Sequence, residues 1–339
     1  MRETRDWTTI RDQAAAVSEP LLRSLVGSLP TEIRHACGVH FGWWTEQGAA
    51  SAGQPSGKAV RPALALLACR AAGGAAQAAH PAAVAVELVH NAGLLHDDII
   101  DRDPVRRGRP ALWKAMGVPA AILAGDALFF AAVQALTEAP RPDRTVPVLL
   151  ATVRELVEGE YLDTLLESEA AADEEQVLAV AAGKTGALLA CACELGAIAA
   201  DATDERAAHL RAFGHHLGIA FQCADDLLGI WGDPAVTGKP ALSDLRRRKI
   251  SLPVAVALAD RTPHTARLRA LYRRDAPLSD EDCRSAAEVI TRTGARRVTE
   301  RWGDRHSAEA LRHLRLAGPE PGPRAELEAL VHLATHRDH

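Results

Sequence analysis

Residues 81–101 read PAAVAVELVHNAGLLHDDIID. Up to Leu95, only Glu87, His90 and Asn91 interrupt an apolar run rich in Ala, Val and Leu, and the run lacks the strict alternation of a half-buried strand. The stretch predicts a helix, Pro81–Asp101, that is buried on most sides and ends on acids. Asp97 and Asp101 stand at i and i+4, so their carboxylates lie one above the other on one helix face. Like charges placed this way repel, and nothing is gained by the arrangement unless a cation sits between them. Oxygen-only ligands with room for water suit Mg2+, which commonly joins protein carboxylates to phosphate oxygens. Taken alone, this stretch reads more readily as a solvated acidic helix end than as a metal site.

The pattern recurs. Phe221-Gln222-Cys223-Ala224-Asp225-Asp226 again closes an apolar helical stretch, followed by Leu227-Leu228-Gly229 and Ile230-Trp231-Gly232-Asp233-Pro234. Two such acidic ends in one chain suggest two facing metal-binding walls around one anionic group. Cations follow at matching places. Gly57-Lys58-Ala59-Val60-Arg61-Pro62 pairs Lys and Arg at a helix start, and Arg106-Arg107-Gly108-Arg109-Pro110 follows the first acidic cluster. Gly183-Lys184-Thr185-Gly186 interrupts an apolar helix, while Gly238-Lys239-Pro240 and Arg246-Arg247-Arg248-Lys249 follow the second cluster. The chain has only five lysines (Lys58, Lys114, Lys184, Lys239, Lys249) against 34 arginines, which makes each lysine a better candidate for a specific point charge. A buried Lys184 without an anion would be costly to keep charged. Carboxylates with metal, lysines and bidentate arginines are the equipment for diphosphate. The phosphate loop GxxxxGK[ST] is absent, which disfavours nucleotide hydrolysis.

The rest of the chain predicts an all-α fold. Ala/Leu stretches are broken by Gly, Pro and polar clusters near 46–57, 103–110, 138–147, 232–240 and 317–323, with no βαβ alternation or solenoid-length repeat. A single domain spanning 1–339 is expected. Val118–Leu136 and Leu178–Ala200 are long enough to cross a bilayer, but they carry Asp126 and Lys184 with Glu194, whose mid-bilayer cost favours core helices over membrane spans. With 39 basic and 44 acidic residues, the net charge is −5, and a generally cationic surface for nucleic acid is not expected. Six cysteines (Cys37, Cys69, Cys191, Cys193, Cys223, Cys283) form no CxxC pair and sit mostly in apolar helices, which predicts reduced thiols and a cytoplasmic protein. The N-terminal residues lack the apolar core of a signal peptide.

Taken together in this order, the motifs resemble the trans-isoprenyl diphosphate synthases (polyprenyl synthetases). The matching pieces are GKAVRP 57–62, ELVHNAGLLHDDIID 87–101, RRGRP 106–110, GDALFF 125–130, EGEYLD 158–163, GKTGALL 183–189, FQCADD 221–226, GDPAVTGKP 232–240 and SDLRRRKISLP 243–253, covering about 55–255. The resemblance implies an isoprenoid-synthase-type helical bundle around a deep central apolar cavity, a homodimer, and about three Mg2+ per active site. Asp97 and Asp101 would ligate two Mg2+ and Asp225 a third, with Asp98 and Asp226 in support. Arg106, Lys184 and Lys239 would hold the allylic diphosphate. Lys58, Arg61, His90 and Arg107 would hold isopentenyl diphosphate. Thr185 and Gln222 would place dipoles beside the developing cation, and Lys249 would belong to a loop that closes the site.

The implied reaction is head-to-tail prenyl transfer: the diphosphate leaves, the isopentenyl alkene attacks the allylic cation, and a proton is lost. Two departures from the family pattern stand out. Gly229 replaces the fifth-position carboxylate of the second cluster, and Glu160 stands where Gln is common. Product length is read from the residues above Asp97. Ala92, Gly93 and Val89 are small or slender and Phe129 and Phe130 could form a deeper floor, favouring a C20 product over C15. A class I terpene cyclase and a non-catalytic partner subunit are the competing readings. The chain's 13 aromatics argue against the former, since cyclases hold cations with many aromatic faces. The intact first cluster argues against the latter.

Overall fold

The structure is a computed structural model that describes residues 6–51, 59–169, 172–233, 241–274 and 278–335. In chain order its first helices are α1 (Trp7–Gly27), α2 (Thr31–Phe41), α3 (Val60–Ala71) and α4 (His80–Ile100). A short hairpin, β1 (Val105–Arg106) and β2 (Arg109–Pro110), leads into α5 (Leu112–Met116), α6 (Val118–Thr137), α7 (Pro142–Glu169) and α8 (Glu174–Ala181). A π-helical turn, Ala182–Gly186, joins α8 to α9 (Ala187–Ala199), and α10 (Asp204–Trp231) follows. The remaining helices are α11 (Ser243–Arg246), α12 (Leu252–Ala259), α13 (Pro263–Tyr272), α14 (Asp280–Arg292), α15 (Ala295–Leu316) and α16 (Pro321–Thr335). Helix accounts for 80% of the described residues and strand for 2%. The contacts divide the chain into two compact units, the first comprising residues 1–151, 191–210 and 317–326, the second 152–190, 211–316 and 327–339.

In the first unit α4 packs along α3 and α6. Val84, Val86, Leu88, Val89, Ala92 and Leu95 of α4 are buried, so the apolar run of the sequence becomes a helix covered on most sides. On α6 the buried face is Ala121, Ala124, Leu128, Ala132 and Leu136. Gly125 of α6 makes room for the His96 ring of α4, because a Cβ there would lie 2.3 Å from His96 Nε2. The other face of α6 is open and mostly apolar: Val118, Ile122, Leu123 and Phe130 are all exposed, Phe130 by 76%, with the exposed Asp126 among them.

The second unit is packed around α12, whose Leu252, Val254 and Leu258 meet Ile219, Cys223 and Ile230 of α10 and Leu268 and Leu271 of α13 in one apolar cluster. Helix α14 adds Cys283, Ala286 and Ile290, spaced by three and four residues, and starts on a reciprocal cap between Ser279 and Asp282. The π-helical turn sits at two close backbone approaches. A Cβ at Gly183 would lie 2.8 Å from Gly159 Cα of α7, and one at Gly218 of α10 would lie 2.6 Å from Gly186 Cα. Glycine is required on both contacts, and the extra residue of the π turn re-aims Lys184 and Thr185.

The expected breaks at 138–147 and 317–323 are shorter than predicted. Helices α7 and α16 start at Pro142 and Pro321, and Pro147 is carried inside α7. A proline in the first helical turn lacks only an N–H that has no intrahelical partner. By length and composition two helical segments could cross a membrane, Val118–Thr137 and Glu174–Ala199. Ala124, Leu128 and Leu136 of the first, and Cys191, Cys193 and Leu195 of the second, have no accessible surface, so both segments serve the core packing of this fold. All six cysteines are free and buried.

Candidate active site

The last turn of α4 carries the first acidic cluster. Asp101 caps the helix, and its N–H donates to Asp97 O at 2.8 Å, which preserves the helical spacing of the two carboxylates. The turn is closed by Arg102 N–H donating to Ile99 O and Asp103 N–H to Asp98 O, with Arg102 at φ +56° in the left-handed region that usually calls for glycine. Asp97 keeps 22% of its side chain in solvent and Asp101 is exposed, whereas Asp98 is buried. Arg106 binds Asp98 through Nε at 2.8 Å and through Nη2, and reaches Asp97 Oδ2 at 3.5 Å. Burial raises the Asp98 pKa, and Arg106 opposes that shift. Asp98 Oδ2 has no hydrogen-bond partner. An all-oxygen donor set with a partly open carboxylate pair fits a hard divalent cation that retains several waters.

Arg106 reaches Asp98 because β1 and β2 turn back over two residues with positive φ, Arg107 at 54° and Gly108 at 73°. That is the tight hairpin turn whose twist matches the strands, and it holds Arg107 on the exposed tip. Around it lies an excess of positive charge. Arg61, at the start of α3, has a buried Nε without a partner, and burial pushes its pKa down to about 10, with Glu87 opposing and Arg107 assisting. Burial raises the Glu87 pKa, and Arg61 and Arg107 oppose that rise. His40 falls to about 3 through burial and the nearby Arg107, and His90 lies well below its ordinary value through burial, Arg61 and Arg107. Both rings are therefore neutral. His40 Nε2 pairs with Asn91 Oδ1 at 3.0 Å, while Asn91 Nδ2 donates to Glu87. Arg109 holds the backbone together: it donates to Val39 O and His40 O across Gly42 and so ties the hairpin to α2.

In the second unit a cavity of about 80 Å³ brings together Lys184, Thr185, Gln222, Asp226 and Lys249, together with Asp163. Lys184 Nζ is gripped by Asp163 Oδ2 at 2.6 Å and Glu160 Oε2 at 2.9 Å. Thr185 Oγ1 donates to Gln222 Oε1 at 3.0 Å, Gln222 Nε2 donates to Asp226 Oδ1 at 2.8 Å, and Leu252 N–H donates to Asp226 Oδ2 at 2.9 Å. Asp226 is thus a buried anchor with both oxygens engaged, and Asp225 is the more open carboxylate of the pair. Lys249 Nζ lies 3.8 Å from Asp226 Oδ1. Burial works against its charge, but Asp226, Asp244, Asp225 and Asp163 outweigh it and hold the ammonium above its ordinary range. Gly229 is explained by the same neighbourhood: a Cβ there would collide with the Asp244 carboxylate, 2.1 Å from Oδ2.

Each unit therefore gathers most of the residues predicted for it. Lys58 and Lys239 lie outside the described residues. One expectation is corrected. Phe130 cannot floor a cavity within this chain, because its ring points outward and is 76% exposed; on α6 it falls on the face opposite Leu128 and Ala132. Phe129 is half-buried with its ring 5.9 Å from His96, and Val89 and Ala92 have no accessible surface. Asp163 and Asp244 carry no predicted role, although both lie inside the matched motifs. The available signal is a lone acid next to apolar or basic neighbours. A wider hollow of about 560 Å³ between α1 and α2, lined by Arg23, Trp43 and Trp44, holds none of the predicted residues.

The polyprenyl synthetase family model matches residues 44–290. The chain belongs to the polyprenyl synthetase family. It is 41% identical over 330 residues to the geranylgeranyl diphosphate synthase of Mycobacterium tuberculosis, covering 96% of this chain and 93% of the relative. It is 38% identical over 341 residues to the (2E,6E)-farnesyl diphosphate synthase of the same species, covering 99% and 95%. Among solved structures, a polyprenyl synthetase from Streptomyces coelicolor A3(2) superposes with a TM-score of 0.92 at 39% identity, over 97% of this chain and 99% of that one. A geranylgeranyl pyrophosphate synthase from Corynebacterium glutamicum, complexed with isoprenyl diphosphate and magnesium, superposes with a TM-score of 0.84 at 29% identity, over 98% and 100%. The all-α isoprenoid synthase fold expected from the sequence is the fold of this polyprenyl synthetase.

Proposed function

We propose that this chain condenses isopentenyl diphosphate with an allylic diphosphate to give a trans-prenyl diphosphate, C20 in preference to C15. The observation that carries the reading is the first unit's pairing of an open carboxylate couple, Asp97 and Asp101, with an under-compensated cation cluster. In that cluster Arg61 has an unpartnered buried Nε, Arg107 stands on the hairpin tip, and Glu87 is the buried counter-charge. Such a cluster is stable when it receives an anion with many acceptor oxygens. Named relatives that make C20 and C15 diphosphates leave the length to the chain's own Val89, Ala92 and Gly93.

Asp97, Asp101 and Asp225 would hold Mg2+, about three ions per active site, and the metal would stabilise charge on a departing diphosphate. The rest is the work of side chains. Arg61, His90, Arg107 and Lys58 bind the isopentenyl diphosphate. Arg106, Lys184 and Lys239 take the charge of the allylic diphosphate, with Arg106 leaving Asp98 and Lys184 leaving Glu160 to do so. The Thr185–Gln222 pair, anchored on Asp226, presents fixed oxygen dipoles to the allylic cation. Lys249 closes its loop over Asp226. The exposed apolar row Val118, Ile122, Leu123 and Phe130 on α6 suits a second copy of the chain, and the protein works in the cytoplasm as a homodimer.

The test is incubation with Mg2+, isopentenyl diphosphate and, in turn, dimethylallyl, geranyl and farnesyl diphosphates, with product mass as readout. Elongated diphosphates ending at C20 are expected. Hydrocarbon formed without consumption of isopentenyl diphosphate would replace the reading with a cyclase.

A further inference from the structure

The second unit carries a cluster of metal-ligating side chains that the prenyl-transfer reading does not use. His216 on α10 and Glu309 and His313 on α15 each bring one ligand atom to within 4.8 Å of the others. On α15, Glu309 and His313 are one turn apart and His306 lies one turn before them, so all three share a helix face. His216 meets that face from α10: its ring stacks on His313 with centroids 5.7 Å apart, and its Nδ1 lies 2.9 Å from His306 Nδ1. All four side chains are part-buried, within reach of solvent.

The chemistry of the set is selective. Two imidazoles and a carboxylate, with a further position left for water, match the nitrogen-and-oxygen sites of zinc and its neighbours. Mg2+ prefers oxygen ligands and has no reason to choose this cluster over the aspartates. A metal on His216 Nε2 requires a proton on Nδ1, and His306 Nδ1 is placed to accept it, which fixes the ligand tautomer from outside. Burial and neighbouring rings lower the His216 and His306 pKa values to about 4, so both rings are neutral at physiological pH and open to a metal. In the structure a cation already occupies part of the position. Arg312 donates from Nε to Glu309 Oε2 at 2.8 Å and its Nη2 lies 2.7 Å from His313 Nε2. Arg312 is exposed, so its guanidinium can swing into water at small cost.

We propose that His216, Glu309 and His313 bind one divalent transition-metal ion of the zinc class, with His306 as the outer partner and Arg312 as the cation the metal displaces. The ion joins α10 to α15. On α10 it sits nine residues before Asp225, about 14 Å along the helix axis. It braces the helix that carries the second acidic cluster and takes no part in the chemistry there.

The test uses the full chain, stripped with chelator and titrated with zinc chloride by calorimetry in millimolar Mg2+, which occupies oxygen-only sites. One zinc per chain is expected, with a rise in Tm on binding. His216→Ala and His313→Ala should weaken zinc binding at least a hundredfold, and His306→Ala about tenfold. Arg312→Ala should tighten it, which a purely structural cluster would not do. Cobalt in place of zinc should show the visible absorption of a tetrahedral nitrogen-containing site. Should His216→Ala or His313→Ala not fold, Glu309→Gln (weaker) and Arg312→Ala (tighter) decide the matter. Zinc affinity unchanged in Glu309→Gln and Arg312→Ala, or no zinc uptake by the stripped wild-type chain, would overturn the proposal.

Discussion

The carboxylate of Asp244 lies over Gly229, in the space that a side chain at position 229 would need: a Cβ there would sit 2.1 Å from Asp244 Oδ2 and 2.3 Å from its Cγ. The acid missing from the fifth place of the second cluster is thus replaced in space by an acid from α11. Asp244 is buried and, with Asp225 and Asp226, belongs to the carboxylates that hold Lys249 charged.

Restoring the family pattern with Gly229→Asp is therefore expected to harm the protein. The new side chain meets a carboxylate at sub-contact distance, and overpacking of this kind costs roughly 1–3 kcal/mol before charge repulsion is added. Denaturant melts should show the loss in Gly229→Asp and its recovery in Gly229→Asp with Asp244→Ala. Equal stability of the single variant and wild type would show that Asp244 does not occupy that space.

Glu160 is bonded to Lys184 at 2.9 Å, and on the proposed reading it competes with substrate phosphate for that ammonium. Glu160→Gln removes one of two carboxylates from the ammonium. The pair is partly exposed, so the change is worth about 1 kcal/mol, or about fivefold. The expected result is a lower KM for the allylic diphosphate with kcat nearly unchanged. A KM that rises would mean that Glu160 positions Lys184 rather than restraining it.

If Asp97 holds metal as proposed, Asp97→Ala should reduce turnover by about two orders of magnitude or more, even at saturating Mg2+, because a charge stabilisation of several kcal/mol would be lost. Far-UV circular dichroism and Tm should be preserved, since Asp97 is partly exposed at the end of α4. Near wild-type turnover would remove the metal role from that residue.

His40 makes the first unit sensitive to acid. Its folded pKa of about 3 lies below the ordinary 6.5, so below pH 6.5 the unfolded chain binds a proton that the folded chain refuses. Its contribution to stability is whole above pH 6.5 and is lost as pH falls toward 3. By pH 4.5 the loss amounts to about 2–3 kcal/mol. Stability curves of wild type and His40→Gln between pH 4.5 and 7 should differ in slope by close to one proton, the variant being flatter. Parallel curves would show that His40 titrates normally.

Phe130 reports on self-association. Placing a charge at the most exposed residue of the open α6 row, as in Phe130→Glu, should shift a dimer toward monomer in sedimentation velocity without lowering the monomer's helicity. A wild-type chain that sediments as a monomer at micromolar concentration would leave that row without its second copy.

Much of this is readable along the chain because the relevant signals are local. The apolar run before Asp97 decides that α4 is a buried helix, and the four-residue spacing to Asp101 puts two carboxylates on one face wherever that helix packs. Arg106 and Arg107 follow so closely that a tight turn must return them near the same helix end. Thr185, Gln222 and Asp226 are different: their roles rest on likeness to a family, and their hydrogen-bonded chain is visible only in the folded second unit. The π-helical turn at 182–186 depends on glycines in α7 and α10, tens of residues away.

The order of residues alone determined the helical class, the acidic helix ends, the cationic stretches beside them and the family, since each rests on composition or on spacings within a few turns. Only tertiary structure decided that Asp244 covers Gly229, that Glu160 and Asp163 hold Lys184, that Phe130 faces outward, and that His216 meets Glu309 and His313 across more than ninety residues of chain. Such pairings are set by which helix faces pack together, a choice made by the burial of whole apolar surfaces rather than by any short run of residues.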